Sequence, residues 1–534
     1  MKDVPVLTVH NLSVALPAGS GRKYAVRNLN MSVTRGEIVC VVGESGSGKS
    51  VLSEAIMGAL PPQLPVSAGQ ILFQGRNIVE MDEENLRAMR GNTIAMIFQE
   101  PMSALNPSIC IGQQIIEVLS IHRPEMTTEQ KKARVLKLLN DVNLPDPEGI
   151  GARLPHELSG GQCQRVVIAM ALALDPVLLI ADEPTTALDA TTQAQILNLI
   201  CELRDHHNHA IIFITHDLGV VADIADRVVV MKSGQIIEQG GADDVLYNPR
   251  EAYTRGLLDA LPQGKVPEQM PPPAQHYPAI SVRKLSKYYG HYKALDSISF
   301  DLQPGQSLVV VGESGSGKST LARCLMRLIE PDDGQIVVDG LDFAQLGGME
   351  LRRSRRLVQM VFQDPYGALN PHRTVRQTLV RAGQLADLSR IEAQKQAVSL
   401  LEMVGLGQDA LDRRANAFSG GQRQRIGIAR ALALRPRILI ADESVAALDA
   451  SMQQQVLKIL ARLRREQDMT IIFITHDLRV ALEIADNVAV MRHGQIVEYG
   501  KATSVLTAPA HDYTRILLAA RPGQKLHRAG AAAC

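Results

Sequence analysis

The stretch VVGESGSGKS occurs twice in the chain, at residues 41–50 and 310–319. In each copy an apolar run precedes a glycine-rich turn, and a helical pattern follows it. Glycines let backbone N–H groups turn inward around an anion, and a helix start adds a favourable dipole. In the pattern G-x4-GK[ST], the lysine reaches the β- and γ-phosphates of a nucleotide and the hydroxyl ligates Mg²⁺. We therefore predict two phosphate loops, formed by Gly43, Ser45, Gly46, Gly48, Lys49 and Ser50, and by Gly312, Ser314, Gly315, Gly317, Lys318 and Ser319.

Other motifs are duplicated in the same order. SGGQ occurs at 159–162 and 419–422, ADE at 181–183 and 441–443, and IIFITHDL at 211–218 and 471–478. Each recurs after 260 residues, whereas stacked repeat proteins recur about every 20–50 residues. The six prolines at 261–278 disfavour helix and central strand. We predict domain one at 1–262, a linker at 263–278 and domain two at 279–534.

Within each half, short apolar runs alternate with helical stretches. In the first half, VLLIAD at 177–182 precedes a helical pattern at 191–206, and AIIFITH at 210–216 follows. Runs this short and apolar are typical of buried strands in a parallel sheet. The alternation predicts an α/β fold with a mostly parallel core sheet in each half. With the two phosphate loops, it predicts two tandem P-loop NTPase domains.

The composition excludes several classes of function. With 56 basic and 56 acidic side chains among 534 residues, the neutral chain is poorly suited to nucleic acid. None of the six cysteines forms a CxxC pair, which argues against a disulfide scaffold or a zinc site and favours a reducing compartment. No apolar run approaches the roughly 18 residues that span a bilayer, and the N-terminus lacks a signal-peptide pattern. We expect a cytosolic protein whose role at any membrane requires partner subunits.

In each half the phosphate loop is followed by FQ, then by SGGQ, and then by an apolar run that ends in ADE. The motifs ALD and FITHD come after that run. This ordered set, present twice, resembles the ATP-binding cassette (ABC) ATPases over nearly the whole chain. The resemblance implies that each half adds an antiparallel β subdomain and a helical subdomain to its core sheet. It also implies ATP and Mg²⁺ as cofactors. Two ATPs would bind head to tail, each between the phosphate loop of one domain and the SGGQ signature of the other, so one chain forms both sites.

The resemblance also assigns a role to each motif residue. Glu183 and Glu443 polarise the attacking water, and His216 and His476 contact the γ-phosphate. Mg²⁺ is held by Ser50, Gln99, Asp182, Ser319, Gln363 and Asp442. The opposite domain closes each site through Ser159, Gly161, Gln162, Ser419, Gly421 and Gln422. The sites are linked across the interface by Asp189 and Asp449.

The resemblance places the aromatic residue that stacks on adenine at Tyr289 in the second half. The same alignment places Leu16 in the first half. Tyr24 is an alternative there, because the inserted PAGSGR leaves the alignment open. For His156, His511 and the other scattered histidines, we expect structural roles.

Two further features resemble the oligopeptide, dipeptide and nickel importer ATPases. They are FQEPMSALNP and FQDPYGALNP at 98–107 and 362–371, and NPREAYTRGLL and APAHDYTRILL at 248–258 and 508–518. The two ATPase subunits of that group look fused here, as in glutathione-type and microcin C-type importer ATPases. The resemblance implies a peripheral subunit on the cytoplasmic face of a bacterial inner membrane. Its partners would be two transmembrane permeases and, indirectly, a periplasmic substrate-binding protein, with no nucleic acid.

Other functions remain open at this stage. Import of nickel or of metal–opine complexes would use the same machinery. Soluble twin-ABC translation factors also pair two domains, but they usually join them through a long, charged helical linker, whereas this linker is short and proline-rich. DNA-repair ABC ATPases carry zinc modules or long coiled coils, which this sequence lacks. We expect an importer ATPase, with peptides or peptide-like compounds as its substrates.

The second copy of one motif raises the question of whether both sites work. ADESVAALDA at 441–450 differs from ADEPTTALDA at 181–190 only at residues 444–446. Asp442, Glu443 and Asp449 are retained. Ser444 replaces a proline and so removes a rigid turn constraint. We predict that the second site hydrolyses ATP, as the first does.

Overall fold

The computed structural model describes residues 4–17, 19, 21–185, 188–261, 277–444, 450–523 and 526. The chain divides into two compact units. The first unit is Met1–Leu188 with Thr192–Asp259 and Pro522–Cys534, and the second unit is Asp189–Thr191 with Ala260–Arg521. Most of the predicted linker lies outside the described residues, so the domain boundaries stay predictions.

The first unit alternates strands and helices along the chain. Its strands are β1 (Leu7–Ala15), β2 (Tyr24–Val33), β3 (Ile38–Val42), β4 (Val66–Phe73), β5 (Arg76–Asn77), β6 (Ile94–Ile97), β7 (Leu178–Asp182), β8 (Ala210–Ile214), β9 (Arg227–Lys232) and β10 (Gln235–Gly241). Its α-helices are α1 (Lys49–Ile56), α2 (Glu83–Met89), α3 (Pro101–Ala104), α4 (Ile111–His122), α5 (Thr128–Asp141), α6 (Pro147–Ala152), α7 (Gly160–Ala171), α8 (Ala190–His207), α9 (Leu218–Ile224), α10 (Ala242–Tyr247) and α11 (Ala252–Asp259).

Two sheets organise the first unit. The core sheet has the order β10-β9-β3-β8-β7-β6 and is parallel except for β10. The second sheet, β2-β1-β4-β5, is antiparallel. Every residue of β3, β7 and β8 is buried. Continuous burial requires the unbroken apolar runs seen in the sequence, because parallel sheets are covered on both faces.

A helical region is inserted in the chain between β6 and β7, which are paired neighbours in the core sheet. Residues 101–171 contain α3 to α7 and no strand. Thr127 starts α5 with a capping box: its hydroxyl accepts a hydrogen bond from the backbone N–H of Gln130 at 3.3 Å. No helix among the described residues is long and apolar enough to cross a membrane. Together with the core sheet and the antiparallel sheet, this helical region confirms the three-part architecture that the sequence resemblance implies for this unit.

The second unit repeats the same pattern. Its strands are β11 (Ile280–Tyr289), β12 (Tyr292–Leu302), β13 (Ser307–Val311), β14 (Asp333–Val338), β15 (Leu341–Asp342), β16 (Val358–Val361), β17 (Ile438–Asp442), β18 (Thr470–Ile474), β19 (Asn487–Arg492) and β20 (Gln495–Lys501). Its α-helices are α12 (Lys318–Leu325), α13 (Gly348–Ser354), α14 (Pro365–Ala368), α15 (Val375–Leu385), α16 (Arg390–Met403), α17 (Gly420–Ala433), α18 (Ala450–Gln467), α19 (Leu478–Ile484), α20 (Ala502–Thr507) and α21 (Asp512–Ala519).

The sheets of the second unit have the same topology as those of the first. The core order is β16-β17-β18-β13-β19-β20, with only β20 antiparallel to its neighbour, and the smaller sheet is β12-β11-β14-β15. The predicted α/β fold with two tandem domains is confirmed.

The topology indicates where each unit binds a ligand. The phosphate loops follow β3 and β13, which lie inside their core sheets between parallel neighbours. In open α/β sheets, ligands bind beyond the carboxyl ends of the strands, where successive connections diverge. We call this side of each core sheet its carboxyl edge.

Candidate functional site

The phosphate loop of the first unit depends on two glycines. A Cβ on Gly43 would lie 2.2 Å from the carbonyl oxygen of Met231. Gly48 has a φ of 102°, in the left-handed region, directly before α1 begins at Lys49. Glycine adopts this conformation without the strain that a side chain imposes. The loop therefore lies close against β9 and leads straight into a helix start, an arrangement suited to anions.

The lysine at the end of each phosphate loop is buried and folds back over the loop. Lys49 Nζ donates hydrogen bonds to the carbonyl oxygens of Gly43 at 2.8 Å and Glu44 at 3.1 Å. Lys318 makes the same two contacts at 2.8 Å each. Burial lowers the pKa of Lys318, and the nearby Glu443 carboxylate opposes that shift. Each loop thus holds an ammonium group in a fixed position.

Five side chains of the first unit meet at its carboxyl edge. Asp182 ends β7 and has Ser50 as a hydrogen-bond partner. Glu183 Oε2 accepts a hydrogen bond from Gln99 Nε2 at 3.1 Å and lies 3.3 Å from His216 Nδ1. Burial raises the pKa of Asp182. Burial lowers the pKa of His216, but its hydrogen bond with Glu183 and the charge of that carboxylate outweigh burial and raise the pKa overall.

The second unit has the same cluster. Ser319 Oγ donates to Asp442 Oδ1 at 3.2 Å, and Gln363 Nε2 donates to Glu443 Oε2 at 2.6 Å. His476 Nδ1 lies 3.7 Å from Glu443 Oε1. Burial, followed by the charge of Glu443, raises the pKa of Asp442 to about 6. Burial raises the pKa of Glu443, but the neighbouring imidazole of His476 and the ammonium of Lys318 outweigh burial and keep that pKa below the usual value.

The glutamates of both clusters share an unusual backbone. Glu183 has a φ of 46° and Glu443 a φ of 43°. Residues other than glycine rarely adopt such values, and outliers of this kind concentrate at functional sites. The two units therefore aim equivalent carboxylates in the same way, although the residues that follow differ.

The SGGQ motifs lie at the starts of α7 and α17, not at strand ends. Ser159 Oγ accepts from the backbone N–H of Gln162 at 3.3 Å, and Gln162 Oε1 accepts from the backbone N–H of Ser159 at 3.0 Å. Ser419 and Gln422 form the same capping box at 3.3 and 3.1 Å. A cavity of about 420 Å³ adjoins the first signature and is lined in part by Ser159, Gly161, Gln162 and Arg165.

Of the two predicted interface residues, the structure describes Asp189. Asp189 Oδ1 accepts a hydrogen bond from Thr191 Oγ1 at 2.7 Å, which fixes its orientation at the start of α8. Asp449 lies outside the described residues. The proposed link between the two sites therefore stays a prediction.

A tyrosine near the end of each unit contacts the phosphate loop, a feature that sequence analysis missed. The backbone N–H of Glu44 donates to the Tyr253 hydroxyl at 3.3 Å, and the N–H of Glu313 donates to the Tyr513 hydroxyl at 3.0 Å. Burial raises the pKa of Tyr513 to about 12, so its hydroxyl stays neutral. The repeated YTR at 253–255 and 513–515 was the available signal.

The predicted adenine-stacking positions differ between the units. Tyr289 is 47% exposed. Tyr292 is 57% exposed, and its hydroxyl donates to the carbonyl oxygen of Gly315 at 3.2 Å. Tyr292, which the sequence does not single out, therefore contacts the phosphate loop directly. In the first unit Leu16 packs against the apolar core, and Tyr24 is half-buried. Stacking by Tyr289 stays a prediction.

Comparison with known families assigns the class of this protein. The ABC transporter family matches residues 26–186 and 295–446, more than half of the chain. The chain therefore belongs to the ABC transporter family, as its motifs predicted, and it is an ATP-binding and ATP-hydrolysing subunit. The oligopeptide/dipeptide transporter C-terminal region matches residues 237–289 and 497–530, which include both YTR motifs.

Curated relatives resemble the whole chain. The chain is 45% identical over 527 residues to the peptidoglycan transport ATP-binding protein YejF of Agrobacterium fabrum, covering 97% of this chain and 96% of that protein. It is 43% identical to the glutathione import ATP-binding protein GsiA of Salmonella choleraesuis, with coverages of 97% and 89%. GsiA of Escherichia coli K12 is 42% identical with the same coverages. These proteins match both units, not a single domain.

Proposed function

We propose that this chain energises the import of peptides or peptide-like compounds by hydrolysing ATP at two sites, one at the carboxyl edge of each core sheet. The observation that carries this proposal is the completeness of both clusters. Each has a buried phosphate-loop lysine, an Asp–Glu pair at a strand end, and a glutamine and a histidine beside the glutamate. A relic site would be expected to lose at least one of these contacts.

The donor set at each carboxyl edge fits Mg²⁺. Hydroxyl and carboxylate oxygens are the ligands that Mg²⁺ prefers. Ser319 Oγ and Asp442 Oδ1 are 3.2 Å apart, and the raised pKa of Asp442 marks a carboxyl that a cation would stabilise. We assign Ser50, Asp182 and Gln99 to the equivalent site of the first unit, with Gln363 completing the second. The ion supplies neutralisation of phosphate charge.

The remaining residues of each cluster act on the attacking water and on the phosphates. Glu183 and Glu443 accept the proton of the water as general bases. The amide of Gln363 and the imidazole of His476 hold Glu443 in place and lie where they can orient the water and the γ-phosphate. The ammonium of Lys318 neutralises the β- and γ-phosphates. The first unit uses the equivalent residues.

We assign the two SGGQ motifs to the closure of the ATP sites in opposite units. Ser159 and Ser419 are exposed and begin α7 and α17. Each presents a hydroxyl and the N–H groups of a helix start, which suit the γ-phosphate. Differential affinity for ATP and for its products would then shift the population between closed and open arrangements.

Two transmembrane permeases and a periplasmic binding protein are the proposed partners, at the cytoplasmic face of the inner membrane. The relatives named as import ATP-binding proteins support this assignment. The helical segments between each FQ and SGGQ motif, at about 108–157 and 372–417, are the surfaces that we assign to the permeases.

Reconstitution in proteoliposomes tests the substrate class. The chain is combined with its permeases and binding protein, and ATP hydrolysis is measured with glutathione, short oligopeptides, muropeptides, Ni²⁺ or a metal–opine complex. We expect a peptide-type compound to stimulate hydrolysis through the binding protein. Stimulation by nickel or a metal–opine complex, with none by any peptide, would contradict the peptide assignment while leaving the ATPase assignment intact.

The tyrosine contact predicts a specific effect on ATP affinity. Tyr513→Phe removes the acceptor of the Glu313 N–H and keeps the ring. Leaving a buried donor unpaired costs about 1–3 kcal/mol, so we expect the KM for ATP to rise several-fold while kcat changes less. The matched control is Tyr499→Phe, because that hydroxyl donates at 2.8 Å to the carbonyl of Asp301 and not to the phosphate loop. Equal KM values for both variants would show that the Tyr513 contact does not position the loop.

A further inference from the structure

A second cluster of polar side chains lies at the opposite side of the first unit's core sheet, where β7 and β8 begin. These strands are parallel, and Leu178 pairs with Ala210. Asp175 comes shortly before β7, and His209 comes directly before β8. His207 is the last residue of α8. The fold therefore gathers residues from two distant segments at the amino edge, at the other end of the strands that carry Asp182 and lead to His216.

His209 is the buried member of this cluster and is 4% exposed. Its Nδ1 is hydrogen-bonded to the carbonyl oxygen of Pro176. Because a carbonyl oxygen only accepts, Nδ1 carries the proton and Nε2 presents a lone pair. Nε2 has no hydrogen-bond partner among the described residues. Metal-binding histidines are oriented in the same way, with the other ring nitrogen donating to a carbonyl or carboxylate.

The unpaired nitrogen faces another electron-rich atom. His209 Nε2 lies 3.4 Å from Asp175 Oδ1, and two lone pairs at this distance repel unless a cation lies between them. A metal ion satisfies both atoms without placing a proton on the ring.

The third member completes a set of ligands. Ligand atoms of Asp175, His207 and His209 all lie within 4.8 Å of one another. The two imidazoles are stacked, with centroids 5.6 Å apart and planes inclined at 21°. Ligands about 2.0–2.1 Å from a tetrahedral Zn²⁺ are about 3.3–3.4 Å apart, which matches the His209–Asp175 distance. Asp175 and His207 are exposed, so their side chains have room to rotate toward an ion.

The cluster also has an entry path. Asp175, His207 and His209 line a cavity of about 350 Å³, together with Glu202 and His206. A cavity of this size admits a hydrated ion and leaves room for water. Catalytic and exchangeable zinc sites keep an open position in the same way, with three protein ligands and water as the fourth.

We propose that Asp175, His207 and His209 form a binding site for a divalent transition ion such as Zn²⁺, held by one carboxylate oxygen and two imidazole nitrogens with water in the fourth position. The bound ion joins the end of α8 to the segment before β7. The site is distinct from the Mg²⁺ sites proposed for ATP, because imidazole ligands favour Zn²⁺ and related ions, whereas Mg²⁺ favours oxygen.

The second unit supplies an internal comparison. The 260-residue spacing of the motifs places Arg435, Gln467 and Met469 at the positions of Asp175, His207 and His209. Gln467 ends α18, and Met469 comes directly before β18, so the backbone positions agree. An arginine, an amide and a thioether do not make a Zn²⁺ site. The proposal therefore predicts one such ion per chain, not two.

Metal titration of the full-length chain tests the proposal. The purified chain is stripped of metal, and Zn²⁺ affinity is measured by competition with a chromophoric chelator, in parallel with the visible spectrum of the Co²⁺ form. We expect one tight site per chain with a tetrahedral Co²⁺ spectrum that lacks thiolate charge-transfer bands. His207→Gln and Asp175→Asn should each weaken Zn²⁺ by at least about tenfold, a loss seen even for outer-shell partners. Zn²⁺ should also raise the Tm of the wild-type chain by several degrees.

The control is His156→Gln, which alters an exposed histidine of the same unit and should leave Zn²⁺ affinity unchanged. With Mg²⁺ present and Zn²⁺ absent, the ATPase activity of every variant should equal that of the wild type, which shows that the variants fold. The proposal is overturned if His207→Gln and the wild type bind Zn²⁺ equally, or if the Co²⁺ spectrum shows thiolate ligation.

Discussion

Replacing Glu443 with glutamine is expected to lower the steady-state ATPase activity of the assembled transporter by about 100-fold or more, since a general base typically contributes about 10²–10⁴ in rate. Glutamine keeps the size of the side chain but does not accept the proton of the attacking water. The environment of Glu443 supports this role, because the neighbouring His476 and Lys318 keep its pKa below the usual value despite burial. The carboxylate is therefore ionised at neutral pH.

The same substitution in the first unit decides whether both sites work. Glu183→Gln should reduce turnover to a similar extent if the two sites act in one cycle. Glu466→Gln is the matched control, because that side chain is exposed and pairs with Arg462 one helical turn away. Unchanged turnover for Glu443→Gln, together with lost turnover for Glu183→Gln, would show that the second site is a relic.

The sequence predicted the core strands and the positions of the site residues because both follow from local patterns. Continuous apolar runs marked β3, β7 and β8, all of whose residues are buried. Asp182 and Glu183 follow one such run directly, and His216 follows another. Once parallel strands bring their carboxyl ends to one edge, these residues meet without further information.

Contacts that join distant segments were not predictable in this way. Tyr253 and Glu44 are 209 residues apart, and nothing near either residue in the sequence indicates the other. The positive φ of Glu183 also leaves no local mark, since the residue type alone gives no reason to expect it. Both features depend on how the completed core sheet holds its loops.

The amino-edge cluster shows the same limit. From the sequence alone, the scattered histidines are expected to be structural, and the lack of a CxxC pair argues against a zinc site. The absence of cysteine pairs bears only on thiolate ligation. Asp175 joins His207 and His209 only because β7 and β8 pair in parallel register, which sequence spacing does not reveal.

Replacing Lys318 with methionine is expected to weaken ATP binding at the second site by about 10- to 100-fold. Hydrogen bonds to charged groups contribute about 1.5–3 kcal/mol, and about 1.4 kcal/mol corresponds to a tenfold change in affinity. Methionine retains an unbranched apolar stem in this buried position, so the change removes mainly the ammonium group. Binding is measured by isothermal titration of ATP with the catalytic glutamates replaced, which prevents turnover.

The number of nucleotides bound separates this effect from general damage. The chain with intact lysines should bind two ATPs, Lys318→Met or Lys49→Met alone should leave one tight site, and the double variant should leave none. Lys458→Met is the control, since that exposed lysine contacts only Gln454 among the described hydrogen bonds.

The ammonium of Lys318 donates to two loop carbonyls at 2.8 Å. Its removal therefore also loosens the loop, and the Tm of each variant must be compared. Two tight sites of unchanged affinity in Lys318→Met would contradict its assignment to the phosphates. One tight site at an unchanged Tm would assign the lost affinity to the charge, because a loop that had merely unfolded would lower the Tm as well.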